Sequence, residues 1–206
     1  IPAFTAINTG TSPVIATITV TPTFENGGVS CTGPATPFEI TVNPTAQVNP
    51  TVDMVVTDGD NVDIPFSTIN TGGTSTYSWT NTDPTTGLTN TGSSDVGFTA
   101  VNTGTSPITT TVVVTPTFEN GGNSNSGPTD TFIITVNPTA QIDPIDSLVF
   151  CDEDVVDPIV FTTQNTGGTT TYSWTNDNTS IGLAASGNGT VSVSYTHLRA
   201  HETTCD

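Results

Sequence analysis

The sequence repeats itself at a long period, and this constrains the fold more than any single motif does. Phe4-Thr5-Ala6-Ile7-Asn8-Thr9-Gly10-Thr11-Ser12-Pro13 returns as Phe98-Thr99-Ala100-Val101-Asn102-Thr103-Gly104-Thr105-Ser106-Pro107, an offset of 94. Thr21 to Gly28 returns at Thr115 to Gly122, and Thr41 to Gln47 at Thr135 to Gln141, with the same offset. Asn70-Thr71-Gly72-Gly73-Thr74 and Thr76-Tyr77-Ser78-Trp79-Thr80-Asn81 return at Asn165 and Thr171, now offset by 95. One residue is inserted after Asp157, where Asp63-Ile64-Pro65-Phe66 becomes Asp157-Pro158-Ile159-Val160-Phe161.

The unit boundary falls at the Asn-Pro-Thr steps. Asn43-Pro44 and Asn137-Pro138 each follow a strongly β segment, with a second proline six residues on at Pro50 and Pro144. Proline fixes φ and biases its predecessor to extended backbone, so each step reads as a short, stiff linker. Residues 1–44 are then expected to be the back half of one unit, 45–138 a complete unit and 139–192 the front half of a third. The chain reads as a piece of a tandem array. Ile1 has no Met before it and no charged or apolar leader after it, so any signal peptide is expected outside this chain.

Within the complete unit the hydrophobic period is two. Val62, Ile64 and Phe66 alternate with Asp63 and Pro65; Val96, Phe98 and Ala100 alternate with Gly97 and Thr99. Ile108, Thr110, Val112 and Val114 face one way, and Phe132, Ile134 and Val136 close the set. Turn signals separate these runs: Asp58-Gly59-Asp60-Asn61, Asn70-Thr71-Gly72-Gly73, Asn90-Thr91-Gly92, Asn102-Thr103-Gly104 and Asn120-Gly121-Gly122. Composition agrees, since Thr, Val and Ile make 82 of the 206 residues whereas the good helix formers Ala, Leu, Glu, Gln, Lys, Arg and Met make 24. About seven short strands per unit, apolar on one face and Thr-rich on the other, predict an all-β protein of tandem antiparallel β-sandwiches.

Charge removes several function classes. One Lys+Arg stands against 19 Asp+Glu, a formal charge of −18. Nucleic acid and anionic membrane surfaces both call for clusters of Lys or Arg, so neither is an expected partner. No apolar run approaches the roughly 18 residues of a membrane span, so direct membrane insertion is not expected. The only Arg and both His lie in Val193-Ser194-Tyr195-Thr196-His197-Leu198-Arg199-Ala200-His201-Glu202-Thr203, which resembles one reading frame of a sequencing adapter. Residues 193–206 are therefore expected to be non-native read-through. Without them no Ser-His-Asp set, Cys-His pair or phosphate clamp can be assembled, and no enzyme is expected.

The blocks Phe-Thr-Ala-Val-Asn-Thr-Gly-Thr, Val-Thr-Pro-Thr-Phe, Thr-Tyr-Ser-Trp-Thr-Asn and Ile-Thr-Val-Asn-Pro-Thr-Ala-Gln together resemble the tandem PKD-like repeats of large secreted surface proteins. Such repeats occur in gliding-motality-associated and adhesin-like proteins of gliding bacteria, and the resemblance covers residues 1–192. It implies an immunoglobulin-like sandwich repeated as a stalk at the bacterial cell surface, with neighbouring repeats, surface glycans or other cell-surface proteins as partners. The runner-up is a carbohydrate-binding or spacer module of a secreted hydrolase.

Three sets of residues invite chemistry. Asp58, Asp60 and Asp63 recur as Asp152, Asp154 and Asp157, and clustered carboxylates suit Ca²⁺. Val62 and Asp63 stand where a helix-flanked calcium loop needs its third ligand and its Gly, so a solvated acidic turn is the favoured reading and calcium the alternative. Tyr77, Trp79, Tyr172 and Trp174 are expected in the core, an immunoglobulin-like sandwich often burying a Trp near its third strand, with a sugar-stacking platform as the alternative. Cys31 occupies the place of Asn125 and Cys151 the place of Thr57 in the complete unit. Sister units are therefore expected to join these two positions by a disulfide, unrelated small thiols being the alternative.

Overall fold

A computed structural model describes residues 1–191, so the adapter-like tail lies outside the described residues. The fold is all-β, with two short 3-10 turns and no α-helix among the described residues. The described residues divide into two compact units, one of residues 1–102 with 108–137, the other of 103–107 with 138–191.

The first unit opens with β1 (Val14–Val20), β2 (Thr23–Asn26), β3 (Val29–Thr32) and β4 (Thr36–Val42). β1 and β4 pair antiparallel from Val14↔Val42 to Val20↔Thr36. β2 and β3 form a hairpin whose turn residues Gly27 and Gly28 both take positive φ, a conformation in which a Cβ is strained. The apolar side chains of these strands are open: Phe24 is 73 % exposed.

Residues 45–137 complete the architecture. β5 (Met54–Thr57), β6 (Asn61–Ile64), β7 (Thr74–Asn81), β8 (Thr91–Ser93), β9 (Val96–Thr99), β10 (Ile108–Asn120), β11 (Asn123–Ser126) and β12 (Asp130–Asn137) follow in order. One sheet runs β5-β12-β10-β7-β8, with β11 pairing the far end of β10; β6 and β9 pair separately. The inward side chains are those that the period of two selects. Val62, Ile64 and Val96 meet Trp79, Val112, Val114, Phe132, Ile134 and Val136 in one buried cluster, capped by Leu88 and Ala100. Phe118, the counterpart of Phe24, is 1 % exposed.

Two expectations need correction. The sheet is not purely antiparallel, because β5 runs parallel to β12 with Ile134 beside Met54 and Asn137 beside Thr57. β5 opens the repeat and β12 closes it; no hairpin ties their directions, and the rest of the domain serves as the long connection that a parallel pair needs. The disulfide expectation also fails. Thr57 lies beside Asn137 at the end of the sheet where Ile108 faces Val136, whereas Asn125 faces Phe118, ten residues further along β10. At about 3.3 Å per residue the two sites lie roughly 30 Å apart, and a disulfide needs Cα atoms within about 7 Å. Cys31 and Cys151 themselves are exposed, free thiols.

The second unit is sparser. β13 (Ser173–Thr175) pairs with β14 (Ser186–Asn188), and Ile159 bridges Val191. Its 3-10 turn, Thr179–Ile181, repeats that of Pro84–Thr86 in the first unit. Both open on a side chain that caps a backbone N–H, Asp83 to Thr85 and Asn178 to Ser180, and both end on a left-handed glycine, Gly87 or Gly182.

Candidate functional site: the joint between repeats

The most organised polar site, the joint, lies where residues 1–44 meet residues 45–137. It begins with Asn8, whose amide donates to the carbonyls of Val42 (2.7 Å) and Ser12 (2.9 Å), while its Oδ1 accepts from Gly10 N–H (2.9 Å). These bonds fold residues 8–13 back against the end of β4. They turn the carbonyl of Thr11 outward, where it accepts the N–H of Thr71 at 2.9 Å.

Asn70 stands at the centre and is buried. Its Oδ1 accepts from Gln47 N–H (2.7 Å) and from the Thr68 hydroxyl (3.1 Å); its Nδ2 donates to the carbonyls of Thr45 (3.1 Å) and Thr11 (3.4 Å). One amide thereby ties Thr45 and Gln47 to the loop at Thr11. Gly72, at φ +76°, lies beneath Pro13: a Cβ there would come within 2.8 Å of the proline Cδ. Close approach and positive φ both call for glycine at this position.

The other flank is made by the β10–β11 hairpin. Asn43 Nδ2 donates to Asn120 O (3.0 Å) and Asn123 O (3.3 Å), Asn120 Nδ2 returns a bond to Asn43 Oδ1 (3.0 Å), and Asn125 Nδ2 donates to Pro44 O (3.0 Å). Ala46 is fully buried, and a Cβ on Gly127 would overlap its carbonyl oxygen. The linker Pro44-Thr45-Ala46 is thus held on both sides as well as stiffened by its proline.

Three of these bonds recur in the second unit, around the half-buried Asn165. Asn165 Oδ1 accepts from Gln141 N–H (2.6 Å), its Nδ2 donates to Thr139 O (3.2 Å), and Thr166 N–H donates to Thr105 O (2.7 Å). Gly167 lies under Pro107 as Gly72 lies under Pro13, with the same 2.8 Å approach. The Asn8 loop recurs too, since the buried Asn102 donates to Val136 O at 2.7 Å.

The residues singled out by sequence pattern distribute differently. Asp60 Oδ2 accepts from Thr57 N–H (2.8 Å), Asp154 Oδ2 from Cys151 N–H (2.7 Å) and Asp58 Oδ1 from Asn102 N–H (2.8 Å). Asp63 points outward from β6, and Asp152 and Asp157 are exposed. No three His, Cys, Asp or Glu side chains converge on a metal position among the described residues. Trp79 is buried, donates its indole N–H to Ser94 O (3.1 Å) and packs over Gly92, which leaves no face for a sugar in the complete repeat. Tyr77 stacks obliquely on Phe66 with ring centres 5.5 Å apart, and Tyr172 repeats this on Phe161 at 5.5 Å. Burial first, then the Asp95 carboxylate, push the Tyr77 phenol above its ordinary range, with a Thr68 hydrogen bond opposing.

Sequence pattern read the Asn70 and Asn102 blocks only as turns. Their repetition was the available signal, because a turn kept twice with its flanking Thr and Pro does more than reverse the chain. No family model and no curated protein matches the chain.

Proposed function

We propose that this chain is a stalk segment of a large extracellular, PKD-like repeat protein, a non-enzymatic spacer whose outer faces are free to adhere to other surfaces. The observation that carries the reading is the recurrence of the joint. Asn70 with Thr71 and Gly72, and Asn165 with Thr166 and Gly167, make corresponding bonds to the linker and to the loop before it, with the same proline contact. A loop that merely connects domains has no need of an amide bonded through both its oxygen and its nitrogen, whereas a series of domains gains from one at every step. The charge fits the same role. Residues 1–192 carry 17 acids and no basic side chain, which keeps neighbouring stalks apart and soluble.

Antibodies raised against the chain test the reading on the source cells. Labelling of intact, unpermeabilised cells is the expected result. Labelling that requires permeabilisation overturns it.

A further inference from the structure

The sequence Phe-Glu-Asn-Gly-Gly stands twice in the chain, at residues 24–28 and 118–122, and each copy turns a hairpin. In the second copy Gly121 and Gly122 take φ +63° and +76°, the left-handed pair that a two-residue hairpin turn calls for. Both glycines are exposed, and a Cβ on either would meet no atom within 4 Å. The Gly121 N–H donates to no backbone carbonyl of the described residues. A nitrogen so placed, with no Cβ to shield it, can close a five-membered ring on the side-chain amide of the Asn before it.

What distinguishes Asn120 is where its side chain is kept. Its Nδ2 donates to Asn43 Oδ1 (3.0 Å), and Asn43 Nδ2 donates back to Asn120 O (3.0 Å) and to Asn123 O (3.3 Å). Asn43 lies across the joint, beside the linker Pro44. The amide carbon of Asn120 must therefore leave Asn43 before the Gly121 nitrogen can reach it. Asn26, within the same five residues, is exposed.

We propose that Asn120 is a site of spontaneous deamidation gated by the joint: bonded to Asn43 it is inert, and when the joint opens Gly121 converts it irreversibly. In the first step the Gly121 nitrogen bonds to Asn120 Cγ, the Cγ–Nδ2 bond breaks, and ammonia leaves with the Gly121 proton. Water then opens the succinimide at either carbonyl, leaving aspartate, or isoaspartate whose main chain runs through Cγ. No oxidant or enzyme is required. Either product replaces the Nδ2 donor with a carboxylate that can only accept, so two acceptors face each other where Asn120 had bonded Asn43 Oδ1. Isoaspartate also adds a methylene to the hairpin backbone. A joint that has opened long enough thus loses this flank for good. The inference concerns the chemistry of the joint and stands apart from the stalk reading.

Peptide mapping of the whole chain, aged at mildly alkaline pH, tests this, because the residues after each turn tell the two copies apart. Identical neighbours give the two sites the same intrinsic reactivity, so Asn120 is expected to deamidate roughly tenfold more slowly than Asn26, the factor that one or two hydrogen bonds supply. Asn43→Ala should bring Asn120 toward the rate of Asn26 and leave Asn26 itself unchanged, with slow amide exchange in β10 and β12 showing that the repeat remains folded. Asn125→Ala, which releases Pro44 O but keeps the pair of Asn43 and Asn120, should leave Asn120 slow. The wild-type comparison stands even where a variant fails to fold. Equal rates at Asn26 and Asn120 in the wild-type chain, an Asn120 rate that a folded Asn43→Ala chain leaves unchanged, or equal acceleration by Asn125→Ala would each overturn the proposal.

Discussion

At the scale of single residues, the unusual feature is how much structure rests on amide side chains rather than on charge. Asn70, Asn81 and Asn102 are buried; Asn70 and Asn102 bond backbone from distant parts of the chain, and Asn81 bonds the Leu88 carbonyl across its own turn. Replacing Asn70 by Ala strands the Gln47 N–H and the Thr45 carbonyl without partners, at a cost of about 1–3 kcal/mol. Amide exchange at Gln47 and Thr71 should accelerate, while exchange in β10 and β12 stays slow; acceleration throughout would show that Asn70 belongs to the core and not to the joint. Asp83 permits a sharper test. Its carboxylate accepts the Thr85 hydroxyl and N–H, which hold its pKa below the ordinary carboxylate value. A lowered folded-state pKa contributes stability above the unfolded value, near 4, that is lost as pH falls through the folded value. Asn178 caps the corresponding turn without a titratable proton. Asp83→Asn should therefore match wild type in melting temperature at pH 7 and gain on it below about pH 4. A constant difference across that range would remove Asp83 from the acid response.

Among the elements, the sequence exposed faces well and directions poorly. Alternation along Phe132, Ile134 and Val136 identified the inward set, because on a strand the side-chain period is fixed by geometry. The parallel pairing of β5 with β12 was hidden, since a period of two carries no information on which way a neighbour runs. The 3-10 turn after Asp83 had a legible signal, a capping acid followed by proline, but too few residues to show a helical period. The joint was the least legible, because Thr11, Thr45 and Gln47 converge on Asn70 only after the strands have assembled. Two predictions belong here. Gly92→Ala would bring a Cβ to 2.1 Å from the Trp79 ring, so it should destabilise the complete repeat by about 1–3 kcal/mol, the usual range for overpacking; an unchanged denaturation midpoint would mean that Trp79 moves freely. At the β5–β6 turn, Asp58 and Asp60 already accept backbone N–H groups. Millimolar Ca²⁺ should then move the melting temperature no more than equal Mg²⁺, and a Ca²⁺-selective rise abolished by Asp60→Asn would place a metal there.

For the whole molecule, charge and apolar burial act against each other. Residues 1–192 carry 17 acids and no basic side chain, so self-repulsion opposes the compact state and no side-chain ion pair offsets it there. Salt therefore acts on one side of the balance. Screening shortens the range of repulsion from about 30 Å at 0.01 M to about 8 Å at 0.15 M, while the hydrophobic contribution stays or grows. The melting temperature should rise as NaCl is raised over that interval. A fold held by bridging charges would do the reverse and lose stability with salt. Lowering the pH toward the carboxylate range should act in the same direction as salt until the acid-sensitive caps such as Asp83 begin to fail. Melting temperature plotted against pH is thus expected to rise and then fall, and a monotonic loss from pH 7 downward would show that ionised carboxylates support the fold.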